Sequence, residues 1–233
     1  MEGESNFEEF LNTTNLHFDN NDLLRQAFIH RSYINENPGE TLGHNERLEY
    51  LGDAVLELVV TEHIFGLYPD KPEGELTAIR AALVNTHMLS SIGHDLGFND
   101  YLLLSKGEAN SVGRARSYIL ANTFEALVGA LYLDGGYAKA QEFIARVLLP
   151  KAQEIVDKKL WQDAKSRFQE LSQEKRGVTP TYKVLNEDGP DHAKVFTVGL
   201  FIADEDIAEG TGASKQEAEQ NAAHEGLAKM GWE

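Results

Sequence analysis

The sequence predicts an all-α domain over residues 1–160, followed by a small α+β domain in α-β-β-β-α order over residues 163–233. Three observations carry that expectation. From about Phe7 to Leu160 apolar residues recur at spacings of three and four, as in Leu48, Leu51, Val55, Leu58 and Val59. After Asp163 a short amphipathic helical stretch gives way to a period of two, in which Phe196, Val198, Leu200 and Ile202 alternate with the other face. The chain then closes on a third pattern, an Ala-rich helical stripe with its own start signal.

In the first domain, breaks rich in turn formers fall at residues 35–43, 69–74 and 105–113. A helix is expected over residues 118–133, stopped by Gly135 and Gly136. Another runs from Ala138 to about Trp161 and must kink or break at Pro150, which lacks the backbone donor a helix interior needs. In the second domain a helix over residues 164–175 precedes a strand over 179–185, a turn over 186–191, a strand over 193–203 and a third over 206–212. Ser214 opens the last helix, with Glu217 three positions on as a capping box and Ala218, Ala222, Ala223 and Leu227 as the buried stripe.

Composition narrows the class. Hydrophobic content of 42% and charged content of 25% are those of a globular protein. With no cysteine there is neither a disulfide nor a thiolate metal site. The start MEGESNFEEF lacks a basic segment and an apolar core, so it does not read as a signal peptide, and no apolar run approaches a membrane span. A cytoplasmic protein with no membrane partner is the expectation. The net charge of −17 runs against a nucleic-acid binder, since phosphate neutralisation normally calls for a basic footprint. Local patches and acids committed to a metal can override that total.

The most informative run is Asn45 to Val60. On a helix Glu46, Glu49 and Asp53 fall at i, i+3 and i+7 and share one face, opposite a Leu/Val stripe. Like charges so spaced repel, and Gly52 and Asp53 are poor helix-interior residues. A solvated helix face is the plain alternative. Two features point further: Gly52 beside the acids predicts close approach of another backbone, and a second helix carries Asn122 and Glu125 at i, i+3, opposite Phe124, Leu127, Val128 and Leu131. Oxygen ligands from two facing helices suit Mg²⁺, which prefers carboxylates, carbonyls and water. His30, His44, His63, His87 and His94 offer a rival set for acid/base or zinc chemistry, but none is paired at ligand spacing.

The run HNERLEYLGDAVLE over residues 44–57 closely resembles the ribonuclease III signature. Ile29-His30-Arg31-Ser32-Tyr33, Arg80-Ala81-Ala82-Leu83-Val84 and the stretch from Ile119 to Leu127 extend the resemblance. It implies an all-α nuclease domain that homodimerises through the signature helix and cuts both strands of duplex RNA with Mg²⁺, or Mn²⁺ in its place, leaving staggered ends. No organic cofactor is implied. Glu49, Asp53 and Glu125 match the positions that hold the metal, with Asp53 and Glu125 catalytic, and Glu46 and Glu73 match supporting acids. Tyr50 would pack into the partner subunit; from spacing alone it reads equally as a core-edge aromatic. One position departs from the family's Ala-Asp-x-x-Glu: here Asn122 stands for the Asp. Asn keeps a carbonyl oxygen but loses a negative charge. That leaves open a working variant, a protein that binds without cutting, or a deliberate substitution.

The second domain resembles a double-stranded RNA-binding domain, a small α+β (α-β-β-β-α) module that reads A-form shape across two minor grooves. The resemblance implies minor-groove contacts from Ser166, Gln169 and Glu170, a loop contact from His192 in Gly189-Pro190-Asp191-His192, and a phosphate contact from Lys215 at the start of the last helix. The usual second lysine is Gln216, and residues 163–233 carry 8 Lys+Arg against 14 Asp+Glu. Weak, salt-sensitive RNA binding is therefore expected. Natural substrates, ribosomal or messenger RNA precursors, are not written in the residues.

Overall fold

The computed structural model describes residues 7–157, 161, 163–190 and 194–232. The chain divides between Trp161 and Gln162 into two compact units, each closed over its own apolar core.

The first unit is helical: α1 (Phe7–Thr14), α2 (Asn21–Ala27), α3 (Arg31–Glu36), α4 (Glu46–Leu67), α5 (Glu73–Leu83), α6 (Thr86–Asp95), a 3₁₀ turn (Phe98–Asp100), α7 (Lys106–Ala109), α8 (Arg114–Val147) and α9 (Pro150–Asp157). Side-chain caps fix several starts. Asn20, Asn85 and Ser105 accept hydrogen bonds from the exposed backbone donors of α2, α6 and α7. The residues between α3 and α4 are tied to the rest through Asn45, whose side chain donates to the Ala27 carbonyl at 3.0 Å and whose carbonyl receives Glu49 N–H.

At the centre α4 crosses α8, burying Leu48, Val55, Leu56, Val59 and Val60 against Phe124, Leu127, Val128 and Leu131. The crossing is backbone on backbone. A Cβ added to Gly52 would overlap the carbonyl oxygen of Glu125 and lie 2.8 Å from Gly129 N; one added to Gly129 would overlap the Leu48 carbonyl. Glycine's missing side chain is what brings the two helix axes this close.

Two departures from the sequence expectation concern this unit. The helix expected over 118–133 begins earlier, at Arg114; the expected break holds at Gly136, where the backbone leaves the helical region (φ 75°, ψ −170°) and a second helical stretch follows. Leu58, grouped by periodicity with the core, is 57% exposed. Pro150, by contrast, opens α9 at a first-turn position, where its missing donor has no consequence.

The second unit contains α10 (Ala164–Arg176), β1 (Thr181–Asp188), β2 (Val195–Ile202), β3 (Glu205–Gly212) and α11 (Lys215–Met230), with the strands antiparallel in the order β1-β2-β3. Phe168, Leu200, Ile202, Ile207, Ala222, Ala223 and Trp232 form its core. Small residues let α11 lie flat on β3: a Cβ at Gly210 would strike the Ala218 and Ala222 backbone. Strand β1 runs through Asn186 to Asp188, where a turn was expected. A bulge at Leu185 shifts the register, and on an outer strand with exposed side chains the polar residues pair with Thr197, Phe196 and Val195 without burial. Leu227, placed in the buried stripe by sequence, is only half-buried; Gly226 takes that depth instead.

Gly52→Ala is expected to lower unfolding stability by about 3 kcal/mol or more, as the crossing is forced apart. Gly66→Ala, on the same helix with nothing near its Cβ position, should raise it by up to about 1 kcal/mol. Urea denaturation of both variants checks this; equal effects would contradict the close crossing.

Candidate active site

The contact between Gly52 and the backbone of Glu125 decides where the acids go. Glu49 and Asp53 flank Gly52 on α4, and Asn122 precedes Glu125 by one turn of α8. Their electrostatics register the proximity. Burial raises the Glu125 carboxyl to about 7, assisted by the charges of Asp53 and Glu49. Glu49 is also raised, by burial first and then by Glu46 and Asp53, while a hydrogen bond with the Asn122 side chain pulls the other way. Asp53 itself is exposed. Glu49, Asp53, Asn122 and Glu125 thus form one coupled group.

The other predicted acids sit differently. Glu46 lies at the edge, 3.3 Å from Arg31 Nη1 and 3.8 Å from His44 Nδ1, and reaches the group through its charge on Glu49. Glu73 begins α5, where the Thr77 hydroxyl donates to it at 3.3 Å, and it is not among the charges that shift Glu49 or Glu125. Among the described residues no three His, Asp or Glu side chains already converge as a metal cage. The histidine alternative finds no support in the placement either. His30 spends Nδ1 on capping α3 through Ser32 N, and burial lowers its pKa.

The donor set nevertheless fits a hard dication. Three carboxylates and one amide share a wall in which only Asp53 is exposed, and burial, with the Asp53 and Glu49 charges, holds the Glu125 proton into the neutral range.

The third face of α4 carries Tyr50, as the sequence expectation required, and adds two residues not grouped with it there. Tyr50 is 83% exposed and is joined by Leu58 and Phe65 as an apolar stripe turned to solvent. The spacing of 50, 54, 58 and 65, distinct from the buried set, was the available signal. A cavity beside Tyr50 is lined by Gln26, His44, Leu48, Leu51 and Leu133.

In the second unit Ser166, Gln169 and Glu170 lie exposed on α10, whose start is capped by Asp163 accepting from Ser166 N. Lys215 stands in the first turn of α11, with Ser214 as the cap. His192 lies outside the described residues.

A helical unit with a carboxylate wall, followed by an α-β-β-β-α module, defines the architecture of a nuclease joined to a duplex-RNA reader. Comparison with known proteins specifies the family. The ribonuclease-III-like family model matches residues 20–152, and the double-stranded RNA binding motif matches residues 164–230. The chain is 45% identical over 224 residues to the Ribonuclease 3 of Bacillus velezensis, covering 96% of this chain and 90% of that protein. It is 41% identical over 229 residues to the Ribonuclease 3 of Borreliella burgdorferi, covering 98% and 93%. The crystallised nuclease domain of ribonuclease III from Campylobacter jejuni superposes with a TM-score of 0.56 at 35% identity, covering 62% of this chain and 99% of that domain. This chain belongs to the ribonuclease III family of endoribonucleases.

The raised Glu125 carboxyl has a stability consequence in metal-free protein. Between its ordinary value near 4.5 and about 7, the folded state holds a proton that the unfolded state has lost. Stability therefore falls as pH rises through that window, on the order of 1–2 kcal/mol with allowance for the solvent that still reaches the group. Glu125→Gln should flatten that part of the profile. Thermal unfolding in EDTA from pH 4.5 to 7.5 measures it; an unchanged profile in the variant would refute the coupling.

Proposed function

We propose that this protein is a Mg²⁺-dependent endoribonuclease that cleaves double-stranded RNA as a homodimer, with Mn²⁺ able to substitute. The observation that carries this reading is the mutual coupling of Glu49, Asp53 and Glu125 across the α4–α8 crossing. Bound there, Mg²⁺ would supply positive charge to a phosphodiester that the wall of carboxylates would otherwise repel. Glu49, Asp53 and Glu125 are the residues that would hold it. The Asn122 side chain orients Glu49 through their hydrogen bond and would offer a neutral oxygen to the ion. In metal-free protein burial keeps the Glu125 carboxyl protonated into the neutral range; releasing that proton would make both oxygens available as ligands. Glu46 and, from further off, Glu73 support the approach.

Homodimerisation is supported by the exposed stripe of Tyr50, Leu58 and Phe65 on the helix that bears the acids, with the cavity beside Tyr50 able to receive an aromatic. Two sites, one per strand, would leave staggered ends. The second unit would contribute RNA grip through Ser166, Gln169 and Glu170 on α10 and Lys215 at the start of α11, together with His192, which lies outside the described residues. A role in cytoplasmic RNA processing, with no organic cofactor, is part of this proposal. No helix among the described residues is long and apolar enough to cross a membrane.

Asn122 favours a second reading, a protein that holds duplex RNA with its cutting weakened or lost. Cleavage of a plain RNA duplex across a Mg²⁺ titration separates the two. Cutting by the unmodified chain is expected, with Asn122→Asp lowering the Mg²⁺ requirement by about tenfold and Glu125→Gln reducing the rate by about a hundredfold or more. No cutting at any Mg²⁺ concentration, with rescue by Asn122→Asp, would establish the binding-only protein.

A further inference from the structure

The sheet register of the second unit brings an acid to the place where an RNA phosphate is needed. Glu187, near the end of β1, pairs across the sheet with Phe196, and Phe196 pairs on its other side with Gly212. Two residues past Gly212 the cap Ser214 starts α11, so Lys215 comes back over the same spot, its Nζ 5.5 Å from the centre of the Phe196 ring. There it meets Glu187 Oε1 at 3.0 Å, while Lys194 Nζ lies 3.8 Å from the other oxygen. The Lys215 hydrogen bond and the two ammonium charges hold the Glu187 carboxyl below its ordinary range, so it is ionised at neutral pH.

The rest of the α11 start offers Lys215 no help. Gln216 is neutral. Glu217 turns back to accept from Ala213 N at 2.8 Å, and Glu219 is taken by Lys165 at 2.6 Å. Among residues 214–219 Lys215 is the only cation.

We propose that Glu187 is a built-in competitor for the RNA backbone: its carboxylate occupies Lys215 and must be displaced before α11 can take a phosphate. The inference rests on the reading of Lys215 as a phosphate contact. The exchange is feasible because solvent reaches both the Lys215 and the Glu187 side chain, and pairs open to solvent are held weakly. It also carries a salt signature. Neutralising a phosphate releases a condensed cation, but a Glu187 that has given up Lys215 and keeps only the longer Lys194 contact beside that phosphate gathers cation density of its own, cancelling part of the release. Glu187 thereby sets both the strength of duplex binding and its sensitivity to salt.

The test is fluorescence anisotropy of the full-length protein with a labelled RNA duplex in EDTA, over a KCl series, comparing unmodified chain, Glu187→Gln, Lys215→Ala and the double variant. Glu187→Gln keeps the shape of the side chain and removes its charge. It should bind about threefold tighter at low salt, with a slope of log affinity against log salt steeper by up to about 0.9. Both gains should disappear in the Lys215→Ala background. Equal or weaker binding by Glu187→Gln, or a gain that persists undiminished without Lys215, would overturn the proposal. Failure of the underlying reading looks different: the unmodified chain would not bind the duplex at low salt, or Lys215→Ala would bind as well as it does.

Discussion

Everything functional in the first unit hangs on two helices touching where neither has a side chain. Gly52 and Gly129 let α4 and α8 meet backbone to backbone, so that the Glu125 main chain lies against Gly52 and the side chains on either side of that contact share one wall. Glycine costs helix stability at both positions. The cost is offset by the core that closes around the crossing, where Leu48, Val55, Leu56, Phe124, Leu127 and Val128 are all buried. Carboxylates that would repel one another on a lone helix are held together because the apolar faces behind them cannot separate.

The resulting charge arrangement differs between the two units. In the first, acids are concentrated and the Asn122 amide relieves one repulsion by bonding to Glu49; a positive partner is what the wall lacks. In the second, cations are scarce and several are matched with acids, as Lys165 with Glu219 and Lys215 with Glu187. A chain of net charge −17 can still act on RNA if the charge is local in this sense. On the proposed reading the first unit's acids would be spent on a cation, and Lys215 of the second unit would be exchanged from carboxylate to phosphate.

Much of this was legible in the residues. The i, i+3, i+7 acids, the Gly52 signal for a close neighbour, and Glu125 on a second helix are all local patterns, and the structure brings Glu49, Asp53, Asn122 and Glu125 together as those patterns implied. The order of elements in the second unit was also readable, because the period shifts from helical to alternating. What was not legible depends on partners distant in sequence. Gly129 as the other half of the crossing carries no signal of its own among the small residues of α8. The pairing of Glu187 with Lys215 needs the strand register, which the bulge at Leu185 alters. Leu58 fits a core period and is nonetheless exposed, since periodicity cannot say which of two apolar faces a neighbour will cover.

The most direct test of the central claim is a crystal structure of the full chain grown with Mn²⁺ and recorded at the manganese absorption edge. The account predicts an anomalous peak in each protomer at the α4–α8 crossing, within ligand distance of carboxylate oxygens from Glu49, Asp53 and Glu125. A structure with Mn²⁺ bound elsewhere, or with that wall empty at saturating metal, would contradict it.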